Sequence, residues 1–214
     1  MVAGLGLAPF KSKLISIGII VAIIQVFLLI NANFIYGQFA PQVVSVLTVY
    51  FFLFLIIALP IGAKIPLFRE GPKAIQGFVI AFIVTAAVMT VLPQLIVKAA
   101  SLEFVTLSLG FGLLHGFVKA YIEEVVFRYA LPIAFGFGDI IANLLFALFH
   151  ISVIIIGFSA PIGIDIFFRF GLLFTLGMIW SFVRNKVGLF ASVSSHFVYN
   201  LSVLGSLPFI GINI

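Results

Sequence analysis

The sequence predicts an all-α fold, a polytopic transmembrane helix bundle of about seven spans, eight if one long segment divides. Three observations predict it. Of the 214 residues, 64% are hydrophobic and 8% charged, too few charges to solvate the surface of a water-soluble domain. Apolar stretches of roughly 20 residues, the length a hydrocarbon core of about 30 Å requires, follow one another almost from end to end. The basic residues sit mostly at the ends of those stretches instead of forming a patch.

Residues 1–214 therefore read as a single membrane domain whose first partners are membrane lipids. The formal net charge of +5 follows from membrane topology, and no nucleic-acid partner is expected. The absence of cysteine excludes disulfides, a thiolate nucleophile and a thiolate metal site. The first apolar run lacks a convincing small-residue cleavage site and is followed by further spans, so it reads as a span and not as a cleaved signal.

The first span is expected at residues 14–30, preceded by Lys11 and Lys13. A connection from Asn31 to Gln42, with Pro41, leads to the second at 42–63, and Lys64 to Lys73, with Pro72, leads to the third at 74–97. The fourth lies within 104–136 and would measure about 50 Å as one helix at 1.5 Å per residue. It must tilt, break or protrude, and Gly110, Gly112 and Gly116 are where a break is expected. The turn from Gly136 to Asp139 opens a fifth span at 138–157, Ser159 to Gly163 a sixth at 162–182, and Arg184 to Lys186 a seventh at 187–208. Lys64, Arg69 and Lys73, with Arg184 and Lys186, mark cytoplasmic ends by the positive-inside rule, and Lys11 with Lys13 puts the N-terminus there too.

Ionisable residues inside a membrane are costly and ordinarily face a protein interior or a water-filled cavity. Here they cluster on three segments: Glu123, Glu124 and Arg128 on the fourth, His150 four residues after Phe146 on the fifth, and His196 four residues before Asn200 on the seventh. Residues four apart share a helix face, so Glu124 with Arg128 and His196 with Asn200 each point one way. One carboxylate can then pair with Arg128 while the other faces a cavity, where it could take and return protons. Measured from the expected cytoplasmic ends, Glu123, His150 and His196 lie about 20, 18 and 14 Å deep. A common depth is what a shared buried site requires. Ser108, Gly112, Gly116 and Ala120 form a small-residue stripe leading to Glu124, and Gly188 with Ser192 leads to His196, both suited to close helix packing. His115 and Lys119 could extend a polar track from Glu123 to the opposite side of the membrane, but a structural role is preferred, with Lys119 pairing a carboxylate or lining water.

The order Glu-Glu-x-x-x-Arg, Phe-x-x-x-His, His-x-x-x-Asn on successive membrane segments resembles the CPBP family of intramembrane glutamic endopeptidases, which includes the CAAX prenyl endopeptidases. The resemblance covers about residues 104–205, a catalytic core, and the first three spans match only in being membrane helices. It implies an endopeptidase in which Glu123 and His150 hold and activate a water, His196 and Asn200 stabilise the oxyanion, Glu124 and Arg128 support them, and Phe146 shapes the cavity wall. The substrate would be a peptide or a lipidated, membrane-associated protein, reached from the cytoplasmic side. No cofactor is implied: zinc is the lesser alternative, because His-Glu-x-x-His is absent although two His and two Glu could bind it. Two other readings stand beside this one. A proton-coupled transporter or channel would use the same acids and histidines as a relay, but lacks paired Gly/Pro-broken segments in two halves. A non-catalytic scaffold or immunity protein would not need the intact motif set. Oligomeric state is not legible.

Overall fold

A computed structural model describes residues 8–37, 40–65, 70–91, 109–157 and 163–201, and all regular structure among them is helical. The helices are α1 (Ala8–Ile30), the short α2 (Ala32–Tyr36), α3 (Ala40–Gly62), α4 (Lys73–Val91), α5 (Leu109–Glu123) with a π-wound continuation (Glu124–Ala134), α6 (Gly138–Gly157), α7 (Ile164–Lys186) and α8 (Leu189–Asn200). Over its described residues each expected span coincides with a helix, and two of these helices are long and apolar enough to cross a membrane. The connection after residue 30 is not plain loop, since α2 lies within it. Ser108 of the small-residue stripe, Arg69, Pro161, residues 92–97 and the seventh segment beyond residue 201 lie outside the described residues.

Two helices, Ala40–Gly62 and Ile164–Lys186, are long and apolar enough to cross a membrane, and shorter apolar helices cover Gly18–Ile30, Lys73–Ala87 and Gly138–Val153. The outer surface is apolar as well: Ile56 on α3 is 70% exposed, Phe82 on α4 74% and Phe167 on α7 68%. Such faces cost free energy in water and none in lipid.

The fourth segment departs from expectation in how it accommodates its length. Helix α5 runs unbroken through Gly110, Gly112 and Gly116. The change comes between the two glutamates, where α winding gives way to π winding over Glu124–Ala134. Pro132 lies inside that stretch. A proline lacks the N–H and crowds the carbonyl four residues back, here that of Arg128, and the wider i→i+5 turn relieves both conflicts. The same device recurs in α3, where a π turn at Phe54–Ala58 precedes Pro60. Gly136 and Gly138, both at φ 75°, then reverse the chain into α6 through a backbone region open to glycine.

Helix α8 is the centre of the assembly and packs on α4, α5, α7 and the π segment, while α6 packs on α7, the π segment and α3. The α4–α8 seam is close enough that a Cβ on Gly77 would meet Ala191 Cα at 3.0 Å. Ser194 Oγ donates across it to the carbonyl of Ala74 at 3.1 Å. At one end of the bundle Asp139, in the first turn of α6, accepts from Arg184 and from Asn185 Nδ2 at 2.9 Å. An acid at a helix N-terminus meets an arginine at a helix C-terminus, an arrangement both helix dipoles favour. Nearby in the chain Gly188, at φ 142°, admits Glu70, whose Oε2 accepts from the backbone N–H of Phe190 at 3.0 Å. Glu70 thereby caps α8 from a distant segment.

Candidate active site

Both glutamates are completely buried, each at 0% exposure. A buried carboxylate needs charged or hydrogen-bonding partners, and here every neighbouring element supplies one. Around Glu123 Oε1 stand His150 Nε2 at 3.1 Å, from α6, and Lys119 Nζ at 3.9 Å, one turn back on α5. The hydroxyl of Tyr50, on α3, donates to the same oxygen. Glu123 Oε2 faces His196 Nε2 of α8 at 3.2 Å, without the alignment of a hydrogen bond.

Glu124 has the other face. His196 Nδ1 lies 2.8 Å from its Oε1, Arg128 Nε 3.7 Å from the same atom, and Ser192 donates to its Oε2. His196 therefore bridges the two carboxylates with its two ring nitrogens. Trp180 of α7 holds that ring by stacking, centroids 3.9 Å apart and planes at 14°. Phe146 packs between the histidines, its ring 4.4 Å from His150 and 6.1 Å from His196, with the Arg128 guanidinium 4.2 Å above its face. That cation–π contact replaces part of the solvation Arg128 loses by burial.

Proton positions follow from the partners. His150 Nδ1 lies 3.0 Å from the carbonyl of Phe146, a group that only accepts, so Nδ1 carries a hydrogen. Its Nε2 then faces a carboxylate, and the contact is attractive only with a proton in the gap. The hydrogen bond between His196 Nδ1 and Glu124 Oε1 makes the same demand. The cluster therefore holds protons that can pass between imidazole and carboxylate over about 3 Å, the reach of general acid–base chemistry. Asn200 is buried, and its Nδ2 has no hydrogen-bond partner among the described residues.

All seven residues singled out from the sequence meet here or border the cluster: Glu123, Glu124, His150 and His196 touch directly, Arg128 and Phe146 back them, and Asn200 lies one turn beyond His196 on the same helix. The residues sequence reasoning missed are Tyr50, Trp180 and the hydroxyl of Ser192. An aromatic on an apolar helix carries no periodic signal that separates a site partner from packing, so Tyr50 and Trp180 were hidden among their like. Lys119 pairs with Glu123, one of the two roles its spacing allowed. Among the described residues, no group of three His, Cys, Asp or Glu side chains has the arrangement of a metal site.

The described helices thus enclose a buried glutamate–histidine cluster beneath an apolar outer surface. Comparison with known families then bears out the resemblance read from the motifs: residues 104–202 match the family described as "Type II CAAX prenyl endopeptidase Rce1-like". That segment contains the two glutamates, both histidines and Asn200. No curated protein and no solved structure matches.

Proposed function

We propose that this chain is an intramembrane glutamic endopeptidase that hydrolyses a peptide bond of a membrane-associated or lipidated substrate, opening to the cytoplasmic side of a multi-pass bundle. The observation that carries the reading is the convergence of Glu123, His150 and His196 within 3.1–3.2 Å from three separate helices. In this reaction Glu123 takes a proton from water as that water attacks the carbonyl, with His150 orienting the pair. Asn200 Nδ2 and His196 meet the charge that develops on the carbonyl oxygen, and the proton passes on to the leaving amine. Glu124, Arg128, Ser192 and Trp180 hold His196 in place, and no metal takes part. Similarity to a family of CAAX prenyl endopeptidases supports a prenylated peptide as the substrate class.

The test is cleavage of lipidated and unlipidated peptides by detergent-purified protein, wild type beside Glu123→Gln, with and without a chelator. Glu123→Gln should fold and lose cleavage, and a chelator should have no effect. Full cleavage by Glu123→Gln would remove the assigned base.

A further inference from the structure

We propose that Tyr50 is a positioning residue of the site: its hydroxyl fixes Glu123 so that one carboxylate oxygen, Oε2, is the one that exchanges the proton. This rests on the reading of Glu123 as the base. Tyr50 lies on α3, outside the matched residues 104–202, and its ring is buried against Phe149 in an edge contact with centroids 5.6 Å apart.

The carboxylate of Glu123 is asymmetric in its partners. Oε1 accepts from the Tyr50 hydroxyl, faces His150 Nε2 at 3.1 Å and has Lys119 Nζ at 3.9 Å. A carboxylate oxygen has about two lone-pair sites, so Oε1 is saturated. Among the described residues Oε2 faces only His196 Nε2, at 3.2 Å and off line. A terminal carboxylate torsion is broad and roughly two-fold, so without a fixed donor the two oxygens exchange places. Tyr50 and His150 grip Oε1 from two helices and remove that freedom. The proton then goes to the oxygen on the side of His196 and Asn200, where the carbonyl must lie for those donors to serve it.

A hydrogen bond to a charged group, once lost, corresponds to a fall of about 10- to 100-fold. Tyr50→Phe keeps the ring and its contact with Phe149. We expect kcat to fall by that factor with KM within about twofold. A second readout is independent of turnover: the carboxylate infrared band of Glu123, isolated as wild type minus Glu123→Gln, should shift in Tyr50→Phe and hold still in Tyr121→Phe, which removes another buried hydroxyl. Tyr50→Gln, which returns an N–H donor, should recover rate relative to Tyr50→Leu, a comparison that decides the matter even if Tyr50→Phe fails to fold. An unmoved band, or equal rates for the Gln and Leu variants, overturns the proposal. Undiminished cleavage by Glu123→Gln would instead overturn the choice of base, and the band would still report whether Tyr50 holds that carboxylate.

Discussion

Replacing Gly77 by alanine introduces one methyl group into the seam between α4 and α8, and its consequence can be worked from the geometry. Carbon contacts settle at about 3.5–4.0 Å. The new Cβ would lie 3.0 Å from Ala191 Cα and also collide with Ala191 O, both backbone atoms that no rotamer change can move aside. The helices must part by about 1 Å, at a cost of about 1–3 kcal/mol for an overpacked contact. Helix α8 moves as a rod, and His196 lies five residues past Ala191, about 7.5 Å along it. A displacement of that size at a catalytic group is worth about 100-fold in rate. Gly116→Ala is the matched control, because its Cβ would meet Leu201 at 3.5 Å and Phe197 at 3.6 Å, ordinary contact distances. Alanine also favours a helix interior over glycine by about 1 kcal/mol. Thermal unfolding in detergent, followed by cleavage assays, should therefore show Gly77→Ala destabilised and slow, with Gly116→Ala as stable as wild type or more so. The reverse order, or two neutral variants, would refute the claim that α4 sets the position of His196.

Further perturbations probe the remaining supports. Glu124→Ala strips Arg128, His196 and Ser192 of their shared acceptor and leaves a buried cation unpaired, so unfolding experiments should register a loss of about 3–5 kcal/mol. Asn200→Ala should fold normally and lower kcat by about 100- to 1,000-fold in single-turnover kinetics, the usual effect of one missing oxyanion donor; an unchanged kcat would strike Asn200 from the mechanism. Gly188→Ala forces a side chain into φ 142° against the carboxylate of Glu70, and a melting curve should show it weakened by about 1–3 kcal/mol.

The sequence made the class of fold and the polar cluster legible for a common reason: in an apolar chain every charge is conspicuous. Glu123, Glu124, His150 and His196 stand out because burying them is expensive, and an expense of that kind points to a shared interior. Spacing also gave the Glu124–Arg128 pair, since four residues close a face even where the helix is π-wound. The winding itself was not legible. Glycines at 110, 112 and 116 suggested a break, yet the helix runs on through all three, and Pro132 downstream decided where the geometry changed. Tyr50 and Trp180 escaped because their contribution depends on which helices become neighbours, and no local pattern encodes that. The cap that Glu70 places on α8 spans 120 positions and was hidden for the same reason.

That cap, the Gly77 seam and the Tyr50 hydroxyl together set the boundary of the working unit. The residues bearing the chemistry occupy one contiguous stretch, but α8 is seated by α4 and capped by Glu70, and Glu123 is gripped from α3. A transplant of residues 104–202 into another helical host would carry every reactive group and leave behind the parts that aim them. Rebuilding the cluster in such a host should accordingly demand the residues at positions 50, 70 and 77 along with the motif-bearing helices.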